Sequence, residues 1–363
     1  MDWQKEGTVL IGRSKSPMDH QAVRLAMFDL DWTLIRPQGS RIFPRNGSDW
    51  QWAFPNVVEK VRANAHKYQF VIITNQKSLK GESRMRQFRD KMDAVASALD
   101  VPLLVLVALE SDRYRKPVPA LWDEHLLKLF PKVERPASIY CGDAAGRTGD
   151  FSDTDYKFAL NIGVPFRIPE QVFRDRKIVF HPPKIAFPAR LRELVGTYDL
   201  EMSGWEMVLL VGMPASGKST IARSLAAGRC LIDNPAGAVT VCSEELQTRI
   251  WCLQLVEGCL KQRESVIVDG TNVTIESRDP YIKLAKRYGC PTRALVVLTP
   301  DEVIRHNNIF REYMERKSTP EAAHRILRGK WQQPSPEEGL DVVQTVPYRV
   351  SPDAPPEYFY HYF

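Results

Sequence analysis

Residues 206–227 read EMVLLVGMPASGKSTIARSLAA. An apolar run of strand length feeds a glycine-punctuated loop, GMPASGKST from Gly212 to Thr220, and the loop opens a helix-forming stretch. That order demands a strand–loop–helix unit, which belongs in an α/β sheet. The glycines let backbone N–H groups close around phosphate oxygens, and the helix N-terminus adds partial positive charge. Gly212, Ala215, Ser216, Gly217, Lys218, Ser219 and Thr220 are the expected cradle. Lys218 is placed to reach the β/γ-phosphates and Ser219 to hold Mg²⁺, so a nucleoside triphosphate such as ATP is the implied ligand.

Further strands are expected at SVIVDG (265–270) and TRALVVLTP (292–300). Asp269 ends the first of them, where an acidic residue would lie near metal and nucleotide. VTVCSEELQTRIW (239–251) reads as a strand running into a helix that starts with Glu244 and Glu245. Either carboxylate would serve as proton acceptor for an attacking hydroxyl, or both simply favour a helix start. In DEVIRHNNIFRE, Arg305 and Arg311 lie on a helix of lid-like position, suited to charge on a transferring phosphoryl group.

The N-terminal half repeats the strand–helix alternation at LAMFDLD (25–31), QFVIITNQ (69–76), LLVLVAL (103–109) and ASIYCGDAAG (137–146). Such alternation predicts a parallel sheet with helices on both faces and function at the carboxyl ends of the strands. In strand geometry Asp29 and Asp31 face the same side. One carboxylate there can act as nucleophile and the other as acid and base, given a cation held partly by a third acid. Asp143, then Asp150, Asp153 and Asp155, are candidates for that third acid. Thr74 and Lys116 would hold phosphate oxygens. From 167 to 205 the chain is proline-punctuated and weakly periodic. The expected organisation is therefore an extension at 1–24, one α/β domain at 25–170, a linker at 171–204 and a second α/β domain at 205–363.

The chain has 363 residues, 44% hydrophobic and 26% charged, which suits two globular domains. No apolar run is long enough to span a bilayer, so no membrane partner is expected. Six cysteines occur singly, without a C-x-x-C pair, and read as reduced thiols. A net charge of +6 suits a polyanionic partner. The clusters at 77–91 and 305–317 mix acid with base and read more simply as solvated helix faces.

DLDWTL, ITNQ, YRKP and GDAAGR, in that order, resemble motifs I to IV of the haloacid-dehalogenase phosphatase superfamily. IFPRNGSDWQWAFPNV, RYRKPVPALWDEH and DFSDTDYKFALNIGVPF resemble more narrowly the eukaryotic-type polynucleotide kinase/3′-phosphatases. GMPASGKST, VIVDGTNVTIESR and RHNNIFRE resemble the kinase domain of that family. The resemblance runs from about residue 25 to 350. It implies a haloacid-dehalogenase-like Rossmannoid domain followed by a P-loop kinase domain. The implied enzyme removes 3′-phosphates from DNA ends and phosphorylates 5′-hydroxyl ends, with Mg²⁺ and ATP; RNA ends stay open. Nuclear residence is implied with it. By the same resemblance Asp29 is the nucleophile and Asp31 the general acid/base. Mg²⁺ would bind Asp29, the Asp31 carbonyl and Asp143. Thr74 and Lys116 would hold the phosphoryl group with Arg115 nearby, Lys218, Ser219 and Thr220 would take ATP phosphates and metal, and Arg305 would be the lid arginine.

Three departures from the family pattern stand out. Ser243-Glu244 replaces an arginine–aspartate pair, which moves the carboxylate by more than about an ångström and allows a slower kinase. Glu245 is then a rival base, and Arg249 a substitute for the missing arginine. No forkhead-associated domain is expected before residue 25, and so no scaffold partner recruited through one. Trp32 stands where the family has glycine. Strand alternation points it away from the aspartates, and tolerated packing is preferred to a base-stacking role, although a positive φ would strain it. A kinase/phosphatase fusion acting on a small metabolite, a 3′-phosphatase with a weak kinase, and an end-binding scaffold remain as alternatives. Activity that ignores competing oligonucleotide would mark the first, and DNA binding without turnover the last.

Overall fold

The computed structural model describes residues 1–14, 16–175, 177–183, 187–202, 204–227, 239–242 and 248–363. They form two compact units, Met1–Pro188 with Tyr360–Phe363, and Ala189–Phe359. The division falls within the segment expected as a linker. Its first residues complete a helical turn, Pro169–Phe173, in unit 1, and Ala189–Glu193 forms another in unit 2.

Unit 1 is built on a seven-stranded sheet. Its strands are β1 (Asp2–Glu6), β2 (Val9–Arg13), β3 (Leu25–Phe28), β6 (Gln69–Asn75), β7 (Leu103–Ala108), β8 (Ile139–Cys141) and β9 (Phe166–Arg167), in the order β1-β2-β7-β6-β3-β8-β9. A separate two-residue pair, β4 (Ile35–Arg36) and β5 (Gln51–Trp52), follows the DLDWTL stretch. β7, β6, β3, β8 and β9 are mutually parallel. The central strands LAMF and LLVLVA are buried at every position because both faces are covered. Alternate residues divide between the faces. Phe28, Ile72 and Val105 pack with helices α1 (Val57–Ala63) and α2 (Glu82–Leu99), through Val61, Phe88, Met92 and Val95. Met27, Ile73 and Leu106 pack on the other side with Trp122 and with Phe158 and Ile162 of α3 (Thr154–Ile162). Each such fully buried side chain contributes about 1.5–3 kcal/mol.

Residues 1–24 are not an extension. β1 and β2 form an antiparallel hairpin, and β2 pairs with β7 from Val9↔Ala108 to Arg13↔Leu104. The antiparallel hairpin gives the otherwise parallel sheet a polar outer strand, DWQKE, whose charges guard an exposed edge.

Unit 2 carries a wholly parallel five-stranded sheet of order β11-β12-β10-β13-β14. Its strands are β10 (Met207–Val211), β11 (Val239–Cys242), β12 (Val266–Asp269), β13 (Thr292–Leu298) and β14 (Val342–Pro347). Helix α4 (Lys218–Ala227) leaves the loop after β10 and buries Ile221, Ala222 and Leu225 on the face of Val208, Leu210 and Leu295. On the opposite face lie α5 (Arg249–Lys261) and α6 (Ile275–Tyr288), the latter started by a capping box from Thr274 to Ser277. Helices α7 (Asp301–Glu315) and α8 (Glu321–Gly329) follow β13. Cys141, Cys252, Cys259 and Cys290 are buried free thiols. No helix among the described residues is long and apolar enough to cross a membrane.

Candidate active sites

In unit 1 the register sets the site. β3 pairs with β6 as Phe28↔Ile72 and with β8 as Phe28↔Cys141, so Asp29, Thr74 and the Gly142-Asp143 turn emerge together at the carboxyl edge. Asp29 is held by its N–H, which donates to the Cys141 carbonyl at 2.9 Å. Lys116 arrives from the loop after β7, fixed by Asn75. The Lys116 N–H donates to Asn75 Oδ1 at 3.0 Å, and Asn75 Nδ2 donates to the Lys116 carbonyl at 3.2 Å. Lys116 is 2% exposed. It donates to Asp29 Oδ1 at 2.6 Å, Asp155 Oδ1 at 2.7 Å, the Tyr140 hydroxyl oxygen at 2.8 Å and the Ile73 carbonyl at 2.9 Å.

Asp155, on α3, is buried against Gly142. A Cβ at Gly142 would come within 2.3 Å of the Asp155 carboxylate, so only glycine lets that acid reach the site. Asp155 Oδ2 also accepts from the Ala144 N–H, and Asp143 exchanges hydrogen bonds with Thr33. Oxygen atoms of Asp29, Asp143 and Asp155 lie within 4.8 Å of one another. Burial pushes Asp29 well above the usual carboxylate range against the pull of Lys116. Burial, reinforced by Asp155, pushes Asp143 up to about 7. Burial alone would lower the Lys116 ammonium, but Asp155 and Asp29 outweigh it and raise it. Three carboxylates facing one ammonium leave negative charge to neutralise, and an all-oxygen donor set suits a hard divalent cation such as Mg²⁺.

Strand alternation does not govern the Asp29–Asp31 pair. β3 ends at Phe28, and the chain then turns, with Leu34 and Ile35 N–H groups donating to the Leu30 carbonyl. The Asp31 side chain consequently stands apart from the acid trio, leaving its main-chain carbonyl as the atom the resemblance assigns to a metal. Its Oδ2 accepts from Gln76 Nε2 at 2.6 Å, and Lys91 Nζ lies 4.0 Å from Oδ1. Gln76 Nε2 also donates to Thr74 Oγ1 at 3.0 Å, so one amide ties two expected site residues together. Sequence reasoning took only Thr74 from the ITNQ motif and missed Gln76, which ends it. Arg115 is half-buried, its Nη1 sealed from solvent with no hydrogen-bond partner, and burial lowers its pKa. Asp150 and Asp153, the other candidates for a third acid, pair instead with Arg147 and Lys157. Trp32 has φ +64° and is 40% exposed, so the expectation that it packs in strand alternation fails with the strand.

In unit 2 the loop GMPASGKST folds as its motif requires. The Gly212 N–H donates to the Thr271 carbonyl at 3.0 Å, and Ala215 and Gly217 take positive φ. A Cβ on Gly217 would approach Tyr348 to 2.9 Å. A cavity of about 390 Å³ is lined by residues 214–220 of this loop, by Asp269, and by Asn307 and Arg311 of α7. Lys218 Nζ donates to the Met213 carbonyl at 2.6 Å, within its own loop. Asn307 Nδ2 donates to the Ala215 carbonyl at 2.8 Å, and the Tyr348 and Tyr358 hydroxyls meet at the same asparagine. Asn307 lies in RHNN, yet an uncharged residue there gave no chemical signal.

Arg305 does not line this cavity, whereas Arg311 does. Asn307 faces the loop, and on a helix a residue four further on shares its face while one two before does not. Arg249 Nη2 donates to the Glu276 and Ser277 carbonyls at the start of α6. Glu244 and Glu245, the expected proton acceptors, lie outside the described residues.

Residues 24–173 match the family described as polynucleotide kinase 3 phosphatase, and residues 207–334 match one described as an AAA domain. A bifunctional polynucleotide phosphatase/kinase of Schizosaccharomyces pombe is 35% identical over 344 residues, 92% of this chain and 82% of that protein. A protein of Acanthamoeba polyphaga mimivirus, carrying the same name in provisional form, is 30% identical over 96% of this chain and 90% of its own length. A polynucleotide 3′-phosphatase of Saccharomyces cerevisiae is 27% identical over 212 residues, 43% of this chain and 89% of that protein. With similarity running through both units in one order, the chain belongs to the bifunctional polynucleotide phosphatase/kinase family.

Proposed function

We propose that unit 1 hydrolyses 3′-phosphates at polynucleotide ends and that unit 2 transfers the ATP γ-phosphate to 5′-hydroxyls, so that broken DNA strands in the nucleus become ligatable. The observation that carries the reading is the Lys116 ammonium, 2.6 Å from Asp29 within a cluster of three carboxylates. An Asp29 oxygen attacks phosphorus, the bond from phosphorus to the 3′-oxygen breaks, and Asp31 in its acid form gives that oxygen its proton. Asp31 then takes a proton from water as the water oxygen attacks the aspartyl phosphate. The phosphorus–Asp29 bond breaks and inorganic phosphate leaves. Lys116 and Thr74 hold phosphoryl oxygens, and the unpartnered Nη1 of Arg115 has donor capacity for another. Mg²⁺ held by Asp29, Asp143 and Asp155 would offset the charge gathered there.

In unit 2, Lys218, Arg311 and Asp269 line the cavity that would take the phosphates, and Ser219 and Thr220 line it with hydroxyls. The 5′-oxygen attacks the γ-phosphorus, ADP departs, and Glu244 is assigned the hydroxyl proton. A nicked duplex with 3′-phosphate and 5′-hydroxyl ends, given Mg²⁺ and ATP, tests both halves. Wild type should convert both ends. Asp29→Asn should lose only 3′-dephosphorylation, and Lys218→Ala only 5′-phosphorylation, each by at least about a hundredfold. Unchanged ends with wild type would reject the assignment, and an RNA nick in parallel reads the sugar preference.

A further inference from the structure

Trp32 occupies a place that should cost the protein stability. Its neighbours both belong to the unit 1 site, Asp31 through Gln76 and Thr33 through Asp143, so residue 32 sits at the rim of that site. Its N–H closes the turn by donating to the Ile35 carbonyl at 2.6 Å, with φ +64°. The left-handed region is sterically costly for an ordinary L-residue, a penalty glycine escapes. Trp32 is also the most exposed tryptophan of unit 1. Trp122 is wholly buried, and Trp3, Trp50 and Trp52 pack against the core, whereas Trp32 leaves 40% of its surface exposed. Trp50 and Trp52 also pair edge to face at 5.4 Å, while no ring partner is found for Trp32 among the described residues. A backbone outlier of this kind beside reactive groups points to a functional role for the side chain it carries.

We infer that Trp32 is a specificity-determining stacking platform for the base of the nucleotide bearing the 3′-phosphate. This rests on the proposed 3′-phosphatase reading and adds what that site recognises beyond the phosphate. The base of a 3′-terminal nucleotide lies one ribose away from the phosphate that Asp29 attacks. Every nucleobase offers a π-face, so a single indole would grip any terminal base without reading its identity. A net charge of +6 favours the same polyanionic partner. The residue that strains the turn thereby becomes the one that holds the strand end.

The test compares kcat/KM on two 3′-phosphorylated oligonucleotides, one with an ordinary terminal nucleotide and one whose terminal nucleotide lacks its base. For the wild type the base-bearing end should be preferred. In Trp32→Ala that preference should fall between about fivefold and a hundredfold, the loss of one aromatic–base stack, and mostly through KM. Trp32→Phe should keep most of it. Trp32→Gly, a residue at home at φ +64°, should also lose the preference while keeping a single cooperative melting transition; this separates a stacking defect from misfolding. A preference unchanged in Trp32→Ala would overturn the inference, whatever happens to absolute rates. A wild type that hydrolyses an aryl phosphate but neither oligonucleotide would overturn the polynucleotide reading itself, and this inference with it.

Discussion

Tyr140 stands behind the Lys116 ammonium, its hydroxyl accepting from Nζ at 2.8 Å and donating to Asp155 Oδ1 at 3.0 Å. Lys116 therefore has four acceptors for three hydrogens, and the tyrosine is the neutral side chain among them, able to yield or regain a bond as charge on Asp29 changes. Tyr140→Phe keeps the ring, which packs edge to face on Phe158 at 5.1 Å, and removes only that give. We expect the 3′-phosphatase kcat to fall about tenfold, in line with the loss of a hydrogen bond to a charged group, with KM little changed. Single-turnover phosphate release measures it, and a shift confined to KM would assign Tyr140 elsewhere. Asp29 and Asp143 were legible because each stands in a motif just past a strand, and Lys116 because it stands in the YRKP motif. Asp155 was legible only as one of four acids. What singles it out is the missing Cβ of Gly142, a close approach in space that no spacing in the chain reveals. The φ of Trp32 was equally out of reach, because alternation assumes a strand that stops at Phe28.

Helix α8 carries His324, 3% exposed, with neither ring nitrogen hydrogen-bonded. Burial lowers its pKa, Lys218, Arg311 and Arg328 add to the lowering, and Glu321 opposes it. The fold thus keeps this imidazole neutral, while the unfolded chain binds a proton near pH 6.5. Its neutral form carries no penalty above that pH, and stability is lost as the pH falls below it towards the folded pKa. Thermal unfolding of the unit 2 transition between pH 8 and 5 should show this decline, and His324→Met should flatten it. An equal decline in both proteins would move the cause to another group. At this scale the buried parallel strands were plain from their apolar runs. The β1–β2 hairpin was not, because DWQKE is mostly exposed and carries no apolar alternation. Nor does a list of arginines on α7 say which face meets the phosphate loop. Asn307 decides that by binding the Ala215 carbonyl, and it selects Arg311 over Arg305.

Over the whole chain, residues 360–363 belong with unit 1 although unit 2 intervenes. The reason is local and specific. Asn161 Nδ2 donates to the His361 carbonyl at 2.7 Å, and the His361 N–H donates to Asn161 Oδ1 at 2.7 Å, a reciprocal pair that mimics backbone pairing. Lys157 Nζ donates to the Phe363 carbonyl at 2.7 Å, and Phe187 and Phe363 rings meet at 5.2 Å. Both Lys157 and Asn161 are on α3, the helix that carries Asp155 into the acid cluster. A segment distant in sequence therefore braces the helix on which the unit 1 chemistry depends. Removing residues 360–363 leaves the Asn161 Oδ1 without its partner, while Nδ2 keeps its bond to the Pro117 carbonyl at 2.9 Å, a loss of about 1–3 kcal/mol. For a unit of this size that lowers the melting temperature by roughly 2–12 °C. We expect the 3′-phosphatase rate to fall severalfold as Asp155 loses its support, with the 5′-kinase rate held within about twofold. Asn161→Ala should reproduce most of the effect without shortening the chain. Equal loss of both activities in the two variants would mean that the terminal residues serve the fold at large, and an unchanged phosphatase would mean that α3 holds Asp155 without them.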